Sequence, residues 1–269
     1  MKDLSSIDYS SLDRREILAF LFHPRKEFGD TPEHEFYLQV SIPVREGESI
    51  GADFYSAGKT SPTILFFHGN GEIVEDYQDL GPVFRDRGFN FFPVDYRGYG
   101  RSTGRPTVTA MMRDCHEIYD YVRSWLKDEG YKGLFLVMGR SIGSASALEL
   151  ASSYSDDIDG LIIESGFAFV LPLLRLIGVN TERLGLTEDQ GFDNREKIEL
   201  YSGPTLVIHA ENDHIIPFHE GEALYKASKS ADKRFLAVPD ANHNTIFMYG
   251  FNEYLKAVSE IAETAGQKK

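Results

Sequence analysis

Short apolar runs and amphipathic stretches alternate along most of the chain, and the two kinds differ in period. Runs such as "TILFF" (63–67), "LFLVM" (134–138), "LIIES" (161–165) and "TLVIH" (205–209) are apolar at nearly every position. Strands covered on both faces read this way, because successive side chains point to opposite sides and neither side meets water. The pattern predicts eight strands, at 36–42, 49–55, 62–68, 89–95, 134–139, 160–165, 205–210 and 234–239. Between them, apolar residues recur at helical spacing over 73–87, 108–129, 142–154, 217–229 and 244–263. From residue 62 onward strand and helix alternate, which implies an α/β fold with a mostly parallel central sheet and helices on both faces.

Two regions depart from that alternation. Residues 36–55 read as an antiparallel lead-in hairpin. The interval between the strands at 160–165 and 205–210 is longer than one crossover helix needs. It carries "FAFVLPLLRLIGV" and then a polar stretch, and reads as a short cap insertion at about 167–200. Ahead of the domain at 36–269, residues 1–35 form an N-terminal helical leader, in which "LDRREILAFLF" is amphipathic and suited to pack on the sheet edge or the cap.

Composition narrows the partners. A formal net charge of −14, with no long basic run, argues against nucleic acid and anionic membrane surfaces. The lone cysteine, Cys115, cannot close an internal disulfide, and its helical surroundings suggest a buried thiol. The first residues hold no apolar run of signal-peptide length, and Glu164, Pro172 and Arg175 interrupt the greasiest later stretch, so no membrane span is expected. A cytoplasmic setting follows. No Cys/His cluster has zinc spacing, and Asp53 stands where a phosphate loop ending in Gly58-Lys59-Thr60 would need glycine. No metal or cofactor is expected; the oligomeric state is left open.

The chemistry concentrates in Gly139-Arg140-Ser141-Ile142-Gly143, where an apolar strand turns directly into a small-residue helix. An abrupt strand-to-helix turn brings the two elements so close that side chains two before and two after its tip would clash, hence the glycines at both places. Ser141 would stand at that tip, at the carboxyl end of a parallel strand. A neutral hydroxyl is a poor nucleophile and needs a base with an acid to orient it. His243 follows the last strand and is the favoured base. His23, His34, His68, His116, His209 and His219 lie in helices, in leading segments or beside turn residues that suggest other duties. The acid is Asp213, in the loop after the penultimate strand, with Glu164 as the alternative. Main-chain amides of Asn70, in His68-Gly69-Asn70-Gly71-Glu72, and of Ile142 would serve as oxyanion donors.

Four segments, "HGNGE", "DYRGYGRS", "GRSIG" and "HAENDHIIP" with the later "NH", resemble the motifs of the α/β-hydrolase superfamily in their proper order. The resemblance covers roughly residues 36–263. More narrowly, "FFHGNGE" with "DYRGYGRSTG" is similar to a serine-hydrolase branch with monoacylglycerol-lipase-like, depalmitoylase-like and serine-aminopeptidase-like members. It implies the α/β-hydrolase fold, a Ser–His–Asp triad, no cofactor, and a structural role for Asp95 to Ser102. Ala210 stands where glycine is common, and the cap is short, which leaves acyl length and leaving group open. The expected activity is hydrolysis of a carboxylic ester with an apolar acyl or alcohol group through an acyl-serine. Phe167, Phe169, Leu171 and Leu174, with Leu173 and Ile177, are the expected lining of an apolar pocket, unless that face packs on the protein's own body. A thioesterase, an aminopeptidase using Glu72, Glu164 or Asp189 for the substrate amine, and a non-catalytic scaffold are the alternatives.

Overall fold

A computed structural model describes residues 7–27 and 36–268. Residues 1–6 and 28–35 of the expected leader, His34 among them, lie outside the described residues.

Eight strands form one sheet in the order β1-β2-β4-β3-β5-β6-β7-β8: β1 Tyr37–Pro43, β2 Ser49–Tyr55, β3 Thr63–Phe67, β4 Asn90–Val94, β5 Phe135–Arg140, β6 Gly160–Glu164, β7 Thr205–Ala210 and β8 Lys233–Val238. β1 and β2 pair antiparallel, as do β2 and β4, and the remaining pairs are parallel. Eight helices are described: α1 Arg15–Leu21, α2 Leu80–Asp86, α3 Val108–Asp128, α4 Gly143–Ser153, α5 Val170–Leu176, α6 Asn194–Leu200, α7 Phe218–Ala227 and α8 Ile246–Gly266. The period of two along each strand divides the core. Leu65 and Phe67 of β3 join Val137, Ile163 and Val207 beneath α3, α4 and α6. Ile64 and Phe66 join Met138, Ile162 and Ile208 beneath α2 and α8. Strands β3 to β7 therefore bury both rows, which is why their sequences are nearly continuously apolar, while the edge strands β1 and β8 stay partly exposed.

The chain order reverses between β3 and β5, with β4 on the far side of β3. At such a switch point the loops leaving adjacent carboxyl ends diverge and open a crevice for a ligand. Asn70 leaves β3 there and Ser141 leaves β5.

The interval 167–200 holds α5, a 3-10 turn at Glu188–Gln190, and α6. The Glu188 carboxylate accepts the main-chain amides of Val170 and Leu171, satisfying donors that open α5. α6 packs against α4. Tyr9, Leu12, Ile17, Leu21 and Phe22 from the leader are buried in the first core. Asp13 Oδ1 accepts the amides of Val108 (2.7 Å) and Thr109 (3.2 Å) at the start of α3. Arg14 donates to the Leu184 carbonyl (2.6 Å), so the leader binds both the helical layer and the 167–200 interval. Among the described residues no helix is long and apolar enough to cross a membrane, and no group of His, Cys, Asp or Glu is placed to hold a metal ion.

Candidate active site

At the end of β5 the chain turns within two residues into α4. Ser141 takes φ 54°, in the left-handed region that side-chain-bearing residues avoid. A Cβ added at Gly139 would overlap the Gly143 carbonyl, and one at Gly143 would overlap the Phe67 carbonyl of β3. Both glycines are thus sterically required by the close approach of α4 to β5 and β3. The Ser141 amide donates to the Glu164 carbonyl at 2.9 Å, and its own carbonyl accepts the Ser144 amide (3.0 Å) and hydroxyl (2.6 Å). Ser144 is fully buried with its hydroxyl turned to the main chain. Ser141 keeps 8% of its surface, so the loops gathered round the elbow leave it less open than a bare turn tip would be.

Asp213 lies in the loop after β7. Its Oδ1 accepts the amides of Ile215 (2.9 Å) and Ile216 (2.8 Å), and its Oδ2 accepts Nδ1 of His243 at 2.7 Å. A carboxylate only accepts, so Nδ1 carries the proton and Nε2 of His243 is left with the free lone pair. Burial alone would raise the Asp213 pKa, but the His243 hydrogen bond and the two amides hold it below the ordinary value. Asn244, the next residue after His243, accepts from Nη2 of Arg140 at 3.3 Å, and so ties the histidine loop to the residue that precedes Ser141. Glu164, the alternative acid, bonds Arg140 Nη1 (2.7 Å) and the Tyr254 hydroxyl (2.7 Å) instead.

Other histidines bond elsewhere, although Nε2 of His209 also stands 3.6 Å from Oδ2 of Asp213. His68 contacts the Gly69 carbonyl (2.8 Å) and Asp95 (3.2 Å), His116 contacts Tyr154 and Glu149, and the buried His209 contacts the Ile216 carbonyl (2.8 Å). Burial lowers the pKa of His209, which favours its neutral form beside Asp213.

The loop after β3 carries Asn70. Its side-chain Oδ1 accepts from the His23 amide (2.8 Å) and the Tyr99 hydroxyl (2.9 Å), so leader and 95–102 loop together fix it. Among the described residues neither the Asn70 nor the Ile142 main-chain N–H has a hydrogen-bond acceptor. Glu72 holds this loop from below: Oε2 accepts the Gly69 amide and the Tyr77 hydroxyl, both at 2.6 Å, and Oε1 pairs with Nε of Arg140 at 2.8 Å. Burial would raise the Glu72 pKa, but the Arg140 charge and the Tyr77 hydroxyl reverse the effect and hold it at about 2.

Behind the histidine loop, between α2, the start of α8 and the sheet, lies a cleft of about 500 Å³. Its walls include Arg140, Glu164, His243 and Asn244, beside apolar residues of β3, β4, β5, α2 and α8. None of Phe167, Phe169, Leu171 and Leu174 lines it. Phe167 and Leu174 are core residues, at 1% and 0% exposure, and the Phe167 ring packs on Phe192 at 5.5 Å. Leu171 packs half-buried against that core, while Phe169 borders a separate pocket of about 220 Å³ with Glu188 and Asp193. The apolar face of α5 covers the protein's own body, which corrects the expected pocket lining at Phe167 and Leu174.

A family model described as serine aminopeptidase, S33, matches residues 58–180. The Pyrococcus furiosus esterase Pf2001 shares the fold with a TM-score of 0.70 at 19% identity, over 89% of this chain and 98% of the esterase. The chain has the α/β-hydrolase fold. Among curated relatives in sequence, YfhR of Escherichia coli K12, described as uncharacterized, is 29% identical over 187 residues, 69% of this chain and 64% of YfhR. The lysophosphatidylserine lipase ABHD12 of Danio rerio is 30% identical over 224 residues, 71% of this chain and 58% of the lipase. The chain spans less than two thirds of the length of either relative.

Within this fold, sequence reasoning missed the charged cluster beneath the elbow. The sequence reading gives Arg140 no role, and Glu164 only that of an alternative acid. One signal was available: a guanidinium at the end of a fully apolar strand must find a carboxylate, and Glu164 ends the neighbouring strand in register with it.

Proposed function

We propose that the protein is a serine hydrolase acting on carboxylic esters with an apolar acyl or alcohol group. Ser141 attacks the carbonyl while Nε2 of His243 takes its proton. Asp213 keeps the imidazole in the tautomer that can do so and stabilises the imidazolium. The tetrahedral oxyanion is received by the amides of Asn70 and Ile142, a type of contact whose loss costs about 3–4 kcal/mol in the barrier. The protonated His243 then gives its proton to the departing alcohol. Water, deprotonated by the same base, releases the acyl group from Ser141.

The observation that carries this reading is the 2.7 Å bond between His243 Nδ1 and Asp213, in a loop fastened by Asn244 to the residue before Ser141. The lipase named above lends support for esters of apolar chains. Aminopeptidase action is disfavoured because both Glu72 and Glu164 are committed to Arg140, which leaves neither free for a substrate amine. A fluorophosphonate probe tests the mechanism. Labelling should vanish in Ser141→Ala and persist in Ser144→Ala; a folded wild-type protein that takes no label would instead fit a scaffold. Parallel turnover of p-nitrophenyl esters, acyl thioesters and aminoacyl substrates separates the three leaving groups.

A further inference from the structure

The cleft behind the histidine loop has a composition that points to one kind of occupant. Phe66, Phe91 and Met138 line it from three adjacent strands, Leu80 and Val83 from α2, and Phe247 from α8. His243 and Asn244 are on its lining, so the space reaches the candidate base, while Ser141 itself lies just outside it, next to the lining residue Arg140. At its mouth the first turn of α8 is bent away from the rest of the helix at Gly250 (φ −129°, ψ 24°), where an added Cβ would press on Val238 at 2.8 Å. That bent turn and the residue after it leave Met248, Tyr249 and Phe251 exposed by 79%, 54% and 38%. Large apolar groups set together in water beside a cleft usually mark a recognition surface.

Several of the polar groups inside are already paired. Arg140 is held by Glu72, Glu164 and Asn244, and the hydroxyls of Tyr77 and Tyr254 donate to the same two carboxylates. One cation against two carboxylates, with Asp76 and Asp79 also on the lining, leaves the cleft net negative, so it repels a fatty carboxylate. A volume of about 500 Å³ lies within the range of ordinary ligand pockets.

We propose that this cleft, not the face of α5, receives the uncharged hydrocarbon portion of the ester, entering over Met248, Tyr249 and Phe251. The substrate class is then neutral esters with a medium-length alkyl or aryl chain. The inference rests on the serine-hydrolase reading, and its test separates the two.

In wild type, kcat/KM should rise about fourfold per added methylene from p-nitrophenyl acetate toward the octanoate, the increment expected for burying each methylene. Val83→Trp and Leu80→Trp, which fill the cleft from one wall, should each lower the octanoate-to-acetate ratio about tenfold, the loss of roughly two buried methylenes. A second readout needs no turnover: the neutral dye N-phenyl-1-naphthylamine should bind wild type with fluorescence enhancement, bind both variants more weakly, and be displaced by dodecanol far better than by dodecanoate. Ratios unmoved in both variants, or a dye indifferent to them, would overturn the cleft while fluorophosphonate labelling still upheld the hydrolase. Dye binding without any labelling of wild type would remove the hydrolase reading, and this inference with it.

Discussion

Nε of Arg140 and Oε1 of Glu72 stand 2.8 Å apart directly beneath the elbow. Through its other nitrogens the same guanidinium reaches Glu164 and Asn244, and through Glu72 it reaches the Gly69 amide. One buried cation thus fixes the loops after β3, β6 and β8 against the residue that precedes Ser141. Arg140→Met strands two carboxylates in an apolar setting and should lower stability by about 3–5 kcal/mol. Arg140→Lys, which keeps the charge but not the fork of donors, should lose less. Urea midpoints of the three proteins decide this.

Asp213 and Glu164 are separable as acids. Asp213→Asn should fold and lower kcat by about 10⁴, because the amide no longer enforces the reactive tautomer of His243. Glu164→Gln should act mainly on stability, since its partners are Arg140 and Tyr254. Steady-state ester kinetics on both proteins would reassign the acid if the Glu164 variant showed the larger fall in kcat.

The elbow glycines admit a steric test. Gly139→Ala and Gly143→Ala each drive a methyl into a main-chain carbonyl, where nothing flexible can give way. A loss of about 1–3 kcal/mol is expected from such overpacking. Thermal melts, with fluorophosphonate labelling rates alongside, should show both variants impaired. Gly71→Ala, whose added Cβ meets nothing within 4 Å, should cost only its positive-φ strain of about 1–2 kcal/mol.

Lys197 of α6 and Glu149 of α4 form a buried pair at 2.5 Å, with side-chain exposures of 0% and 8%. Glu149 also accepts the Tyr9 hydroxyl at 3.1 Å and faces His116 at 3.2 Å. Removing either member alone leaves an uncompensated buried charge. Lys197→Met and Glu149→Leu should each cost about 3–5 kcal/mol, and the double variant should recover most of that loss. A double-mutant cycle in urea measures it.

Stability should fall in acid, for a reason the same carboxylates supply. Burial opposes ionisation of both Glu149 and Glu72, but hydrogen bonds and the charges of Lys197 and Arg140 hold their folded pKa at about 2, against an ordinary 4.5. Between those values the unfolded chain binds more protons than the folded one. The stabilisation they provide is complete above pH 4.5 and is lost as the pH falls toward 2. Urea midpoints at pH 6, 4 and 3 should decline in that order, with a flatter profile in the Glu149→Leu, Lys197→Met double variant.

Local order was legible and distant pairing was not. Each of the eight strands appears within about two residues of its expected place, and for β3 to β7 the reason is burial on both faces, which leaves a nearly continuous apolar run. The meeting of Asp213 with His243 was readable because a parallel sheet delivers its strand ends to one rim. Residues 73–87 read as a single helix, but the Asp76 carboxylate takes the Ile73 amide at 3.0 Å and closes a 3-10 turn, Val74–Tyr77, ahead of α2. The Glu72–Arg140–Glu164 cluster joins residues 68 and 24 positions apart, and no periodicity marks such a meeting. The apolar side of α5 shows in the sequence, but not which surface it covers.

Tyr9, Glu149 and Lys197 meet at one point, though the first and last are 188 positions apart. Synthesis from the amino end therefore delivers the tyrosine and the glutamate long before the lysine emerges. Until then the helix that follows Ser141 carries an acid with no ammonium to meet it, and the leader lacks one of its fastenings. Closing that corner waits for residue 197, so a ribosome stalled before it holds a chain in which Tyr9 and Glu149 lack their shared ammonium.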